Sequence, residues 1–303
     1  MRGMKRIQVS TMNQEKTKGN NFIFTGTCQA GTGVVAAVTG FLASRDCYIC
    51  ALEQFDDEST NKFFMRAVFR QQKNSPLIDK ITEDFSEIAQ TFDMHWKFHR
   101  PEVAVKTIIL VSKYDHCLDD LLYRQRKGEI NMEITAVVSN HQDLRPMVER
   151  EGIRFIHLPI SEKTKIQQEQ RLLEIVNETS SELVILARYM QILSNELTKK
   201  LSGKCINIHH SFLPGFKGAK PYHQAFDRGV KVIGATAHYV TSDLDEGPII
   251  EQMLTRVDHT YDARQLIGVG RDNECLALAK AVKYHVERRV FLDGNKTVVF
   301  LGS

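Results

Sequence analysis

Hydrophobic and polar positions follow two patterns in the first hundred residues. Apolar runs rich in aromatic and β-branched residues predict four strands, "NNFIFTGTC", "CYICALEQF", "KFFMRAVFRQ" and "MHWKFHR". Apolar residues at positions 34, 35, 38, 41 and 42 have helical spacing, and a second helical segment follows Ser75-Pro76. The predicted order βαββαβ is that of a ferredoxin-like sandwich, which we assign to residues 21–101.

From residue 102 onward, near-continuous apolar runs alternate with helical segments. The runs "VKTIILVSK", "EITAVVSN", "RFIHLPI", "LVILA" and "KCINIHH" are typical of buried parallel strands. The helix after the first run has Asp115 as a candidate N-cap and Gly128 beyond its end, and a last helix starts at Asp272. The segment "VFLDGNKTVVF" predicts a terminal hairpin with an Asp-Gly turn. Residues 102–303 therefore predict an α/β domain with a doubly wound, mostly parallel sheet.

Composition and charge exclude several classes of protein. The 303 residues suit two domains, with 42% hydrophobic and 25% charged residues. The net charge of +3 and the scattered basic residues do not favour a nucleic-acid partner, and no apolar run is long enough to span a membrane. Residues 1–20 lack the apolar core of a signal peptide, so we expect a disordered tail, a cytoplasmic protein and reduced cysteines.

Two short motifs resemble a cofactor site and a metal site, but each lacks the neighbouring elements or ligands that such a site requires. "GTGVVA" fits the glycine pattern of dinucleotide-binding proteins, but the next strand leads through a polar turn into another strand rather than into a helix. We therefore interpret its glycines as a tight turn before a helix. Cys47 and Cys50 form a CxxC without a second ligand pair, and we interpret both as strand residues.

The strand "KCINI" ends in residues suited to acyl chemistry. Asn207 and His209 are two positions apart and should share a face, whereas His210 should face the opposite way. A carboxamide and an imidazole side by side can stabilise an oxyanion and move a proton. Asp245 follows on a polar loop after the strand "VKVIGATAHYV" and would complete an acid–base set.

A metal site is the competing interpretation of this histidine-rich region. His209, His210 and His223 could bind an ion together with His238 or His259. Neighbouring strand residues point in opposite directions, and no HExxH motif is present, so we expect no metal.

The segment from Asn207 to Ile250 resembles the folate-dependent formyltransferase family. The family motif corresponds to Asn207, His209, Ser211–Pro214 and Asp245–Pro248. The resemblance implies Asn207, His209 and Asp245 as catalytic residues, a folate substrate, and no separate cofactor. It also implies that the segment "LVILARYMQILS" and the loop after residue 239 bind the folate through Met190, Gln191, Ile192, Leu193, Val240, Thr241 and Asp243.

Residues 21–101 resemble the ACT domain family of regulatory modules, which implies a homo-oligomer and a possible amino-acid effector. The family's usual Asp-Arg-Pro-Gly turn is replaced here by Ala30-Gly31-Thr32-Gly33. Dimerisation through the sheet depends less on that turn than effector binding does.

The acceptor of the formyl group separates the branches of the catalytic family. Transferases that act on glycinamide ribonucleotide have a Gly-Ser-Asn phosphate loop where this chain has "KYDHCLDD", whose acids would repel a phosphate. His210 and "PYHQA" also resemble the hydrolytic branch. We therefore expect hydrolysis of 10-formyltetrahydrofolate to tetrahydrofolate and formate, which supplies formate to one-carbon metabolism and purine biosynthesis. In this mechanism Asp245 and His209 activate the water, while Asn207 and His209 stabilise the oxyanion. The alternatives are a phosphoribosylglycinamide formyltransferase and a sensor without catalysis.

Overall fold

The computed structural model describes residues 21–213 and 221–302. The predicted disordered tail at residues 1–20 lies outside the described residues. So does most of the Gly/Pro-rich loop after Leu213, including Pro214 of the family motif.

The first part of the chain forms a four-stranded antiparallel sheet. Its elements are β1 (Asn21–Gln29), α1 (Val34–Ser44), β2 (Cys47–Asp57), β3 (Lys62–Gln71), α2 (Ile78–Thr91) and β4 (His95–His99). The strand order β2-β3-β1-β4 and the antiparallel pairs are those of a ferredoxin-like sandwich, as predicted. Phenylalanines 24, 41, 69 and 85 pack between the sheet and the two helices.

The two misleading motifs of this region have structural explanations. Gly33 lies at the N-cap of α1 with φ of 92°, a left-handed conformation that favours glycine. Strand β2 pairs antiparallel with β3, so no parallel crossover follows β1. Cys47 and Cys50 are both residues of β2, and both are free thiols.

The second part of the chain surrounds a seven-stranded sheet. Its elements are β5 (Val105–Val111), α3 (His116–Arg126), β6 (Met132–Ser139), α4 (Arg145–Arg150), β7 (Phe155–His157), α5 (Lys165–Glu178), β8 (Leu183–Leu186), α6 (Asn195–Lys200), β9 (Cys205–His209), α7 (Pro221–Asp227), β10 (Val232–Tyr239), β11 (Ile249–Arg256), α8 (Ala263–Val286), β12 (Val290–Asp293) and β13 (Lys296–Val299). Strands β12 and β13 form the predicted hairpin around Gly294.

The large sheet has the strand order β11-β10-β9-β8-β5-β6-β7. Strands β5 to β9 are parallel, and β10 pairs antiparallel with both neighbours. Residues of α3, α4 and α8 pack on one face, and residues of α5 and α6 pack on the other. This is the predicted α/β architecture, and it brings the carboxyl ends of β8 and β9 to one edge of the sheet.

Helix α8 is longer than the sequence pattern predicts, because it begins at Ala263 rather than near Asp272. Its start is a capping box in which Asp262 and Gln265 satisfy each other's backbone N–H groups. The two glycines in its first turns lower the helical signal, but packing of the helix on β10 and β11 overrides it. Asp115 occupies the N-cap position of α3 but makes no side-chain capping bond there, and Gly128 beyond the helix has φ of 71°, as expected.

The end of α8 contacts the small sheet. Arg66, which is buried on β3, donates to the carbonyl of Glu287 at 3.1 and 3.2 Å and to the carboxylate of Glu53 at 2.9 Å. Asp293 of the terminal hairpin pairs with Lys62 at 2.9 Å. The two sheets are therefore joined through charged groups at the carboxyl end of α8. Within residues 21–213 and 221–302, no helix has the length and apolar character to cross a membrane.

Candidate active site

Strand β9 positions Asn207 and His209 side by side. Residues 205, 207 and 209 share one face because side chains alternate along a strand, while Ile206 and Ile208 join the core on the other face. Both polar side chains line one cavity of about 710 Å³ at the edge of the sheet. The predicted pairing of these two residues is therefore present.

Asp245 reaches the same place from the loop between β10 and β11. Its Oδ2 lies 3.3 Å from Nδ1 of His209, and its backbone adopts φ of 57°, which is uncommon for a residue with a side chain. Burial raises the pKa of this carboxyl, but the hydrogen bond from His209 outweighs it and holds the pKa well below its usual range. Asp245 is therefore a carboxylate that accepts the Nδ1 proton of His209.

His238 is a fourth member of the site that the sequence analysis considered only as a metal ligand. The antiparallel register places it opposite Asn207, and its Nε2 lies 3.2 Å from Asn207 Nδ2. Its Nδ1 donates to the carbonyl of Tyr239 at 2.9 Å, so Nε2 is the nitrogen that accepts from the carboxamide. His238 thereby orients Asn207, and it lies 3.8 Å from Asp245.

The Nε2 atom of His209 is the reactive atom that this arrangement leaves available. It is buried and has no hydrogen-bond partner among the described residues. Because Nδ1 donates to Asp245, Nε2 of the neutral ring carries a lone pair. A buried polar atom without a partner is costly, so its presence at a cavity indicates a position for a bound water or substrate.

One half of the cavity is formed by the segments predicted to bind folate. All seven predicted contact residues line it: Met190, Gln191, Ile192, Leu193, Val240, Thr241 and Asp243. Met190 and Ile192 are 51% and 60% exposed, which leaves an apolar surface at the mouth. The segment is held in place because Met190 N donates to Ser112, and Ser194 donates to Glu169 through its backbone and hydroxyl.

The other half of the cavity contains a buried carboxylate with three partners. Glu274 of α8 accepts from His116 at 2.8 Å and from the Tyr222 hydroxyl at 2.7 Å, and Arg188 lies 3.4 Å away. Burial raises the pKa of Glu274, but His116, the Arg188 charge and Tyr222 together lower it below its ordinary value. Burial also raises the pKa of Tyr222, so its hydroxyl remains a donor.

Arg188 lies two residues after the end of β8 and has an unusual conformation. Its φ is 62°, and its guanidinium carbon lies 5.0 Å from the centroid of the Tyr114 ring. The side chain is 10% exposed, and Nε has no hydrogen-bond partner among the described residues. A left-handed backbone at a residue other than glycine costs about 1–2 kcal/mol, which the surrounding contacts must offset.

The prediction for His210 is wrong. Strand β9 ends at His209, so the alternation does not extend to His210, whose ring stacks on His209 with centroids 4.9 Å apart and lines the same cavity. Burial lowers the pKa of His210 to about 4, and the charge of Arg188 acts in the same direction, so the ring is neutral. His223, at the third position of α7, is exposed and also lines the cavity.

A different group of side chains from the one considered in the sequence has metal-ligand spacing. His116, Cys117 and Glu274 place one potential ligand atom each within 4.8 Å of the others. Glu274 already accepts from His116 and Tyr222, and Arg188 supplies its counter-charge. The hydrogen bond to Cys275 and burial raise the pKa of Cys117, which disfavours the thiolate that a metal requires. The group is therefore better explained as a hydrogen-bonded cluster than as a metal centre.

Arg188, Tyr222 and Glu274 escaped the sequence analysis as functional residues, and His238 was considered there only as a metal ligand. Arg188 lies in the loop after β8, and Tyr222, Glu274 and His238 belong to α7, α8 and β10. The available signal for Arg188 was a charged residue directly after a predicted buried strand. The signal for Glu274 was a glutamate between apolar helix positions. Tyr222 and His238 carry no such local signal.

Comparisons with known proteins find similarity over most of the chain. The chain matches the formyl transferase family over residues 105–282. It is 53% identical to a formyltetrahydrofolate deformylase of Corynebacterium sp. (strain P-1), over 91% of this chain and 97% of that protein. The crystal structure of a formyltetrahydrofolate deformylase from Burkholderia mallei ATCC 23344 superposes with a TM-score of 0.89 at 52% identity, covering 93% of this chain and all of that one.

A transferase is a more distant match. The glycinamide ribonucleotide transformylase 1 of Symbiobacterium toebii has a TM-score of 0.61 at 26% identity, covering 67% of this chain and 96% of that one.

Proposed function

The chain belongs to the formyl transferase family, and from this premise we propose that it hydrolyses 10-formyltetrahydrofolate to tetrahydrofolate and formate. The observation that carries the proposal is the unpartnered Nε2 of His209, held by Asp245 beside Asn207 in one cavity. The similarity over nine-tenths of the chain to proteins named formyltetrahydrofolate deformylase supports water as the acceptor.

His209 is the residue that moves the proton. Its Nε2 takes a proton from water as the oxygen attacks the formyl carbon, and Asp245 stabilises the resulting imidazolium. The same imidazolium then protonates the departing folate nitrogen, so the C–N bond breaks and formate is released. Asp245 accepts from Nδ1 of His209, so its part is to orient the imidazole and to compensate the charge of the imidazolium.

Asn207 stabilises the charge that develops on the formyl oxygen. One N–H of its carboxamide is directed to His238, which fixes the rotamer and leaves the second N–H for the oxyanion. Pre-orientation of this donor matters because no reorganisation is then needed during the reaction.

The pterin of the folate lies against the apolar half of the cavity. The Met190–Leu193 segment and the loop from Val240 to Asp243 supply an apolar surface together with backbone donors and acceptors. Gln191 stands where the family commonly has arginine, so a contact with the acidic tail of the folate at this position would be a neutral hydrogen bond. The formate released would enter one-carbon metabolism, including purine biosynthesis.

Formation of tetrahydrofolate from 10-formyltetrahydrofolate, measured together with formate release and with and without glycinamide ribonucleotide, tests the proposal. We expect turnover without the acceptor, whereas turnover only with the acceptor would indicate a transferase and no turnover would indicate a sensor. Asn207→Ala should lower kcat by about 10²–10³ with little change in folate binding. The control Asn177→Ala, on an exposed helix position away from the cavity, should keep normal turnover.

We further propose that residues 21–101 pair with a second copy of the chain and form a regulatory unit with a possible amino-acid effector. Edge strand β2 exposes Tyr48, Leu52 and Phe55 at 55%, 40% and 45%. An apolar edge of this kind favours pairing with another strand. Leu52→Glu should lower the mass measured by light scattering, and an unchanged mass would exclude this edge as the interface.

A further inference from the structure

We propose that Arg188 determines the choice of water as the formyl acceptor, because its side chain occupies the space through which a larger nucleophile would approach. This inference rests on the proposed hydrolysis. It assigns a specificity-determining role to a residue that does not itself transfer a proton.

The position of Arg188 in the cavity is the first support. The folate is expected against the Met190–Leu193 half, and the formyl group beside Asn207 and His209. A nucleophile must then arrive from the opposite half, whose lining includes Tyr114, His116, Arg188, Tyr222 and Glu274. Any acceptor other than water would need room where the guanidinium stands.

The second support is that Arg188 is held from several sides. Glu274 lies 3.4 Å from its Nε, and the ring of Tyr114 lies beneath its guanidinium. Glu274 is itself fixed by His116 and by the hydroxyl of Tyr222, and its side chain is 1% exposed. A side chain held in a buried, ion-paired cluster cannot swing aside at low cost, so this half of the cavity is closed to bulky groups.

The third support is the backbone of Arg188. A left-handed φ of 62° is easily adopted by glycine, yet an arginine occupies this position, and its carbonyl accepts from Ser112 N at 3.2 Å. Strain of this kind persists where a side chain is needed for function. The side chain of Arg188 is therefore kept despite the strained backbone. It fills the half of the cavity opposite the folate, which we call the acceptor half.

The chemistry of the two outcomes differs only in the nucleophile. With water, a C–O bond forms, the bond from the formyl carbon to the folate nitrogen breaks, and formate and tetrahydrofolate result. With a primary amine, a C–N bond forms instead, the amine loses a proton that the folate nitrogen gains, and a formamide and tetrahydrofolate result. Both routes use His209 in the same way, so space in the acceptor half decides between them.

Arg188→Gly tests the inference with glycinamide, a small primary amine, as the probe. Formate and N-formylglycinamide are measured by mass spectrometry after reaction of full-length protein with 10-formyltetrahydrofolate. We expect formate with at most a trace of formylglycinamide from the wild type, and a ratio of formylglycinamide to formate at least about tenfold higher in the variant. The matched control is Ser180→Gly, an exposed position with φ of 51° outside the cavity, which should keep the wild-type ratio.

Two further measurements separate specificity from a structural role. Guanidinium ion, added well below denaturing concentrations, should refill the space in Arg188→Gly and lower the ratio again. Glu274→Gln retains the volume of the cluster but removes the ion pair that holds Arg188, so the ratio should rise above the wild-type value but less than in Arg188→Gly. An unchanged ratio in Arg188→Gly, with or without loss of formate release, overturns the inference. Absence of formate release by the wild type would instead contradict the proposed hydrolysis.

Discussion

Two glycines in the first turns of α8 provide a sharp test of the packing behind the cavity. Gly268 is exposed, and a Cβ added there would meet no atom within 4 Å. Gly270, half a turn further on, is buried against the ring of Tyr222, and a Cβ there would lie 2.1 Å from Cζ and 2.3 Å from the hydroxyl oxygen. The same substitution to alanine should therefore have opposite effects at the two positions.

The magnitudes follow from these contacts. Gly268→Ala should raise the free energy of unfolding by about 0.5–1 kcal/mol, because alanine loses less backbone entropy than glycine in a helix. In Gly270→Ala the Tyr222 ring must move by roughly 1.5 Å to reach ordinary contact distance. Overpacking costs about 1–3 kcal/mol, and loss of the 2.7 Å hydrogen bond to Glu274 adds about 1.5–3 kcal/mol. After the gain in helix propensity, we expect a net loss of about 1.5–5.5 kcal/mol.

Urea unfolding followed by far-UV circular dichroism measures both variants under one protocol. Formate release should fall in Gly270→Ala, because Tyr222 lines the cavity, and should be retained in Gly268→Ala. If Gly270→Ala were as stable and as active as Gly268→Ala, the close packing of Tyr222 on α8 would be refuted.

Three further perturbations have defined outcomes. Asp245→Asn should lower kcat by about 10²–10⁴ in a formate-release assay, since His209 loses the acceptor that sets its tautomer, while exposed Asp143→Asn should not. Arg66→Ala should cost about 2–4 kcal/mol in urea unfolding, because buried partners at the end of α8 lose their donor. An equal effect of Arg70→Ala, exposed on the same strand, would contradict this. Burial lowers the pKa of His285 to about 3, so the unfolded chain binds a proton between about pH 6.5 and 4 that the folded chain does not. The free energy of unfolding should therefore decrease as the pH is lowered through that range. His285→Gln should make this decrease smaller.

Local patterns were sufficient for the architecture and for half of the site. Period-two alternation placed Asn207 and His209 on one face of β9, and the family motif pointed to Asp245, 36 residues after His209. The buried apolar runs predicted the parallel strands. Each of these inferences depends on neighbours in sequence or on a motif, which is why each could be made before the fold was known.

The same patterns failed where an element ended or began unexpectedly. His210 lies one residue past the end of β9, so the alternation rule no longer applied to it. The first turns of α8 contain two glycines, and packing on the sheet, rather than propensity, makes them helical. Boundaries of this kind depend on contacts that the sequence does not display.

The sequence by itself determined which groups could act: a carboxamide and an imidazole on one strand face and a carboxylate on a later loop. Only the tertiary structure decided how they act. The antiparallel register of β10 brings His238 to Asn207, and the loop after it brings Asp245 to Nδ1 of His209, which leaves Nε2 available. The cluster around Glu274 likewise joins residues from α3, the loop after β8, α7 and α8. The physical reason is that hydrogen bonds and ion pairs depend on distances of a few ångströms between groups far apart in sequence, and chain folding alone sets those distances.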